Sequence, residues 1–433
     1  MAELAAGALA AEQVLSTAAQ ATAAYTVAQP TNGLKAVFSQ IATSAADGTR
    51  ASLVRSHHSL TVVGNRAYIF GGRTSSNNKL ADNEIHVVAL PVSREETAKG
   101  SDYRLIPALP LVEHEGVPSA RSDHAACASN GRVAVFGGAD EAGALVQDTT
   151  IWLFDVEKSA WHALRAETST SLPPPARKEA KLFAQGNDFV LYGGQDEGGV
   201  PLEDVWRFNY ESKTWTPLPD APAVTSNAAF ADDTLYLIAG NDDLSSSLHF
   251  LDTSHHAEGP QATWESIIFP TNPLAPGPRP RENGGLLHVS TGYGRNYLLY
   301  FFGERSTASS PTASGEEKTP PSSSKPTQWS DMWTLQLPSS DVAHKSTSIS
   351  EAVQPAKIKD GIRALFGASG KHTWAEVQVR PPGDVSGHTG KLHPGPRGFF
   401  GYDVIEKGNS VVVWGGVDAK GETEGDGWII RLE

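Results

Sequence analysis

Short runs of β-branched and aromatic residues, each closed by a glycine pair, recur six times along the chain. They are Ala67–Gly72 (AYIFGG), Val133–Gly138 (VAVFGG), Phe189–Gly194 (FVLYGG), Leu235–Gly240 (LYLIAG), Tyr297–Gly303 (YLLYFFG) and Val411–Gly416 (VVVWGG). An apolar run this short, bounded by turn-forming residues, reads as a buried strand. The fourth and fifth runs are degenerate at the first glycine.

Other elements recur in register with these runs. An acidic residue two before an aromatic follows the glycines, clearly in Asp204/Trp206, Asp331/Trp333 and Asp426/Trp428 and weakly around Glu84/His86, Trp152 and His249. An aromatic strand comes next, marked by Tyr103, Trp161, Trp215, Trp264 and Trp374. An arginine then opens the following unit: Arg55 and Arg121 with a histidine three residues on (His58, His124), and Arg177, Arg281 and Arg397 without it. From Arg55 to Gly71, Arg121 to Gly137 and Arg177 to Gly193 the separation is 16 residues each time. Each unit therefore predicts four antiparallel strands, a sheet that cannot bury its faces alone. Closing six such sheets into a ring covers the faces and shelters the edges. The predicted fold is all-β, a six-bladed β-propeller.

The last unit ends at its third strand, so the missing fourth strand is expected from the N-terminus. LKAVFSQIA supplies it, with Phe38 in the tryptophan position and Lys35–Ile41 pairing with Trp428–Arg431. Residues 1–28 are alanine-rich and favour a helical segment, and 29–433 form the propeller. Two inserts interrupt blade 5: Ser/Thr/Pro-rich 305–328, expected to be disordered, and 338–371, which separates the third and fourth strands.

Composition narrows the function classes. A net charge of −14 argues against nucleic acid and suits a soluble monomer. The single cysteine, Cys127, rules out an internal disulfide and reads as a small core residue. The N-terminal segment has no basic stretch and carries Glu3 and Glu12, so a signal peptide fits poorly, and no run reaches membrane-spanning length. The expected location is cytoplasmic or nuclear.

With its glycine pairs, D-x-W elements and later tryptophans, the sequence resembles the kelch-repeat propellers over roughly Leu34 to the C-terminus. Such a fold hosts unrelated activities, so the site has to be read from residues. In an antiparallel meander the residue opening strand one and the residue after the glycine pair share a face. Arg55, His57, Arg121, Asp123, Arg177, Lys178, Asn227, Arg281, Glu282, Arg397 and Phe399 should therefore meet Arg73, Asp140, Gln195, Asp196, Asn241, Asp242, Glu304, Arg305 and Asp418 around the channel mouth. Two readings of the arginines stand side by side. As ligands, Arg55, Arg73, Arg121, Arg177, Arg281, Arg305 and Arg397, with Glu304, would bind a carboxylate, sulfate, phosphate or acidic peptide. As scaffold, each would pair with a neighbouring blade's aspartate.

The chain is also similar, more weakly, to the iron-dependent nitrile-specifier and thiocyanate-forming kelch proteins. Phe301–Glu304 (FFGE) matches the opening of their E-x-x-x-D-x-x-x-H iron motif, so the resemblance implies Glu304 as an Fe2+ ligand. Arg121 and Arg177 resemble that family's sulfate-facing arginines. The aspartate and histidine positions are Ala308 and Thr312, so the motif is broken. Copper chemistry of the galactose-oxidase kind is not expected of Cys127. His58 and His124 read as structural, and no Ser/His/Asp arrangement, P-loop or zinc spacing occurs. The sequence thus points to a cofactor-free binding or scaffold module for a protein or small acidic ligand, with an iron-dependent lyase- or isomerase-like enzyme as the alternative.

Overall fold

The six units form the six blades. The computed structural model describes residues 33–43, 53–74, 78–91, 103–167, 172–240, 246–254, 262–269, 277–291, 295–305, 328–337, 373–381, 391–405 and 408–433. The segment 1–28, most of both inserts, and Asn241 and Asp242 lie outside them. Among the described residues there is no α-helix, and no helix long and apolar enough to cross a membrane.

Five blades are four-stranded antiparallel meanders in sequence order. Blade 1 is Ser59–Val63, Arg66–Phe70, Ile85–Ala89 and Tyr103–Ile106, and blade 2 is Ala125–Ser129, Arg132–Phe136, Ile151–Asp155 and Ala160–Leu164. Blade 3 is Lys181–Gln185, Asp188–Tyr192, Val205–Asn209 and Thr214–Leu218. Blade 4 is Ala228–Ala231, Thr234–Ala239, Ser246–Asp252 and Trp264–Phe269. Blade 5 is Gly285–Ser290, Asn296–Phe301, Met332–Gln336 and Trp374–Glu376.

Blade 6 closes the ring as the strand count requires. Gly401–Val404, Ser410–Trp414 and Asp426–Leu432 are completed by Lys35–Thr43 from the other end of the chain. That strand runs antiparallel to Asp426–Leu432, with Phe38 opposite Ile430 and Gln40 opposite Trp428. One further strand was not expected from the repeat: Gln378–Arg380, leaving blade 5, pairs in parallel with Lys35–Val37 and makes blade 6 five-stranded.

The core is divided by the ring. Six apolar clusters fill the six blade interfaces, from Leu60, Ile69 and Trp414 between blades 1 and 6 to Leu248, Leu298 and Leu335 between blades 4 and 5. Each sheet is covered on both sides by its neighbours, so the strands read as continuous apolar runs. The second glycine of each pair passes over the start of its own blade. Gly72 (φ 91°) and Gly416 (φ 96°) leave no room for a side chain. A Cβ would stand 2.5 Å from the Ser56 carbonyl oxygen in one case and 2.6 Å from that of Gly398 in the other.

Candidate functional site

In five of the blades short bridges bring members of the two predicted residue sets onto one face. Ser56 pairs with Arg73, Ser122 with Ala139, Lys178 with Gln195, Glu282 with Glu304 and Arg397 with Asp418. The arginines that open the blades do not present their charge there. Arg55, Arg121, Arg177, Arg281 and Arg397 are 0–2% exposed. Each turns into its own blade and donates to the carbonyl at or beside the glycine pair: Gly71, Gly137, Gly193, Phe302 and Gly415, at 2.9–3.1 Å. The scaffold reading also needs correcting, because the acidic partner comes from the same blade. Arg177 forks onto Asp204 (2.6 and 2.8 Å), Arg281 onto Asp331 (2.8 and 3.0 Å), and Arg397 meets Asp426 at 2.7 Å. Burial opposes ionisation of Asp204 and Asp331, but hydrogen bonds and charge from Arg177 and Arg281 outweigh it and hold both carboxyls below their usual range.

In blades 1 and 2 the acid sits four residues before the aromatic instead of two. Asp148 accepts from the Trp152 indole (2.5 Å) and stands 3.7 Å from Arg121. Asp82 meets His86 at 3.2 Å, and His86 in turn contacts Arg55 at 2.9 Å. The weak elements at Glu84 and before Trp152 thus hide acids at Asp82 and Asp148. A search for D-x-x-x-[WH] would have found them. Burial draws Arg55 and Arg121 down to about 10.

Blade 4 breaks the scheme. Ala223 and Ala239 hold the arginine and first-glycine places, Ser247 replaces the acid, and His249 bonds Ser247 and Ser266. Elsewhere the mouth is rimmed by left-handed residues two beyond each arginine: His57, Asp123, Glu179, Asn283 and Phe399, with φ of 53–57°. Their backbones are hydrogen-bonded from blade to blade. Phe399 N–H donates to the Asn283 carbonyl, His57 to Phe399, Asp123 to His57, and Glu179 to Asp123, at 2.7–3.1 Å. The chain of bonds stops on both sides of blade 4. Thr225, its counterpart there, is held by the Tyr192 hydroxyl, which donates to its carbonyl at 3.0 Å and to that of Ala223 at 3.3 Å. Other blades carry Phe70, Phe136, Phe301 or Trp414 at the Tyr192 position, none with a hydroxyl.

A cleft of about 710 Å³ opens at this gap, lined by Glu179, Pro222, Val224, Glu282, Asn283 and Phe399 among others. Val224 is 51% exposed, and Phe399 stacks on His57 with ring centres 4.1 Å apart. Burial raises the Glu179 carboxyl above its usual range, and the Asp123 and Glu282 charges add to this against Lys178 and Lys181. Burial likewise raises Glu304, although Asn283 donates to it at 2.7 Å.

The other predicted site residues are dispersed. Asp140, Asp196 and Asp418 close tight turns by accepting backbone N–H groups. Arg73 donates to the carbonyls of Asn78 and Asp140, Arg305 is exposed, and the Asn227 amide donates to the Arg281 carbonyl. Glu304 is half-buried and held by amide donors from Asn283 and Gln328. Ala308 and Thr312 lie outside the described residues, and alanine brings no donor atom. These residues do not fit an iron site.

The channel wall carries a buried carboxyl, that of Asp403. Asp403 accepts backbone N–H groups of Val62 and Val404, both at 2.7 Å, yet burial pushes its carboxyl up to about 6. An aspartate that binds its proton more tightly folded than unfolded stabilises at acid pH and loses that contribution as pH rises towards about 6. Asp403→Asn is therefore expected to gain on the wild type by on the order of 2 kcal/mol between about pH 4 and pH 7. Urea titrations at several pH values check this; a difference constant with pH would contradict it. Beside it, burial raises the Cys127 thiol further, and His124 bonds Ser59 at 2.8 Å with its pKa lowered to about 3 by burial.

Buried arginine locks, glycine crossovers and six short-stranded blades define a six-bladed β-propeller. The family model for the KLHDC2/KLHL20/DRC7 Kelch-repeats domain matches residues 40–230. Kelch domain-containing protein 3 of Rattus norvegicus is 30% identical over 141 residues, 32% of this chain and 34% of that protein. The Rab9 effector protein with kelch motifs of Mus musculus is 26% identical over 151 residues, 35% of this chain and 34% of that protein. The matches span about a third or less of the curated relatives' length. The solved structure titled "Structure of YjhT" superposes with a TM-score of 0.52 at 13% identity, covering 88% of this chain and 97% of that one, a likeness of fold. The chain is a kelch-repeat β-propeller protein.

Proposed function

We propose that this propeller is a binding module that takes a protein partner on its loop face, at the channel mouth beside blade 4, and that the partner contributes basic side chains. Kelch propellers are typically protein-interaction modules. The observation that carries the proposal is the division of charge at the mouth. The five arginines expected to draw an acidic ligand are buried and spent on their own blades. The carboxylates there are met by amides and not by buried arginines: Glu179, on the cleft wall with Glu282 and Arg279, accepts from Gln195 at 2.8 Å, and nearby Glu304 from Asn283 at 2.7 Å, yet both carboxyls are raised. A lysine or arginine placed among Glu179, Glu282 and Glu304 would relieve their mutual repulsion.

The reading is tested with short synthetic peptides that differ only in replacing lysine and arginine by glutamate. Basic peptides are expected to bind, more weakly at high salt and more weakly as pH falls into the raised range of Glu179 and Glu304. Glu179→Gln with Glu282→Gln is expected to lower affinity about fivefold or more with little change in melting. Preferential binding of the acidic series would overturn the proposal.

A further inference from the structure

The backbone ring around the channel mouth is incomplete, and what it lacks is a strand of main chain. Five of six blades supply one left-handed residue at the mouth, and in four of them, His57, Asp123, Glu179 and Phe399, its N–H reaches the preceding blade's carbonyl. At blade 4 this fails twice. Among the described residues, the Glu179 carbonyl receives no donor and the Asn283 N–H has no acceptor.

A second set of bonds breaks at the same place. In blades 1, 2, 5 and 6 the second glycine donates to the carbonyl of the next blade's arginine: Gly72 to Arg121, Gly138 to Arg177, Gly303 to Arg397 and Gly416 to Arg55. The bond from blade 3 to blade 4 is absent, and the Tyr192 hydroxyl takes the Ala223 carbonyl instead. From blade 4 to blade 5, the Asn227 side chain replaces the glycine at 2.9 Å.

Two local causes meet here. Without an arginine at position 223 nothing draws the blade 4 segment into the arginine–aspartate lock, and the Tyr192 hydroxyl holds it back. A main-chain donor and a main-chain acceptor are left on the walls of the cleft described above. Unpaired backbone groups of this kind are costly when shut away from water and are ready partners for an extended peptide.

We infer that an extended segment of the partner protein enters this cleft and takes the place of blade 4's missing residue. Its N–H donates to the Glu179 carbonyl and its C=O accepts from the Asn283 N–H, completing the ring. The flanking side chains then set the sequence it carries. Glu179 and Glu282 suit a lysine or arginine, and exposed Val224, with Phe399 stacked on His57, suits an apolar neighbour. This inference rests on the proposed partner-binding role of the mouth, and adds that recognition runs through the backbone at blade 4.

The experiment uses the full chain, labelled with 15N, and the best-binding lysine- or arginine-containing peptide of the series described above. On titration the Asn283 amide resonance is expected to shift downfield and gain protection from exchange. The Asp123 and Phe399 amides, already bonded, should move little. N-methylation of one peptide amide should lower affinity at least tenfold, while methylation at the others costs less.

Binding of basic peptides with an unmoved Asn283 amide and no sensitive position overturns the backbone inference and leaves the charge reading intact. Failure of all basic peptides removes the charge reading itself. Protection of Asn283 in the free protein also overturns the inference: if independent of concentration it assigns the gap to this chain's own residues, and if it grows with concentration, to a second copy.

Discussion

Arg397→Ala is expected to cost about 3–5 kcal/mol of folding stability, the range for removing one partner of a buried ion pair. Arg397 is 0% and Asp426 5% exposed. The guanidinium bonds Asp426, the Gly415 carbonyl and the Pro394 carbonyl. Truncation strands a carboxylate and two carbonyls inside the blade, a penalty larger than the net worth of the bonds themselves. Arg121→Ala should cost less, because Asp148 stands 3.7 Å away with 28% of its side chain exposed and can be hydrated. Chemical denaturation of both variants, with Asp426→Ala and the Arg397/Asp426 double variant to complete the cycle, checks this order. Equal and small losses would mean that the locks are decorative.

Removal of residues 1–43 is expected to abolish cooperative unfolding of the whole propeller. The lost strand pairs with Asp426–Leu432 and carries Ala36, Phe38 and Ile41 into the interfaces on both sides of blade 6. Without it blade 6 has an unpaired edge and a gap in two cores. Phe38 is 3% exposed and packs against His393 at 4.3 Å between ring centres. Phe38→Ala in the intact chain should therefore cost about 3–5 kcal/mol. The truncation should bind a hydrophobic dye and unfold over a broad range in calorimetry. A sharp transition matching the full chain would contradict the closure.

The repeat register made the fold legible because it rests on residues with narrow physical alternatives. Only glycine tolerates the crossover at Gly72, and a missing fourth strand in the last blade has to come from somewhere. The site was less legible for a related reason. The register gave the position of each arginine along the chain but not whether its side chain turns outward or into the blade, and an acid four residues before its aromatic, as at Asp82 and Asp148, does not look like one two before it. Blade 4 read only as a weak repeat. That its weakness opens the ring depends on the Tyr192 hydroxyl, a three-dimensional contact across 33 residues of sequence. The parallel strand Gln378–Arg380 is exposed, so no apolar periodicity announced it.

The clasp of blade 6 also bears on how the protein comes into being. The Ser39 hydroxyl accepts from Arg431, 392 residues later, and the backbones of Lys35 and Glu433 bond each other in both directions. During translation the first strand to emerge is the last to find its partner, so blades 1 to 5 must be made while one end of the ring stands open. Contacts of such sequence separation are slow to form, and the waiting edge is vulnerable to pairing with other chains. Ring closure therefore waits until the last strand of the ring has been made, and chaperone dependence should concentrate on the two closing strands, Lys35–Thr43 and Asp426–Leu432.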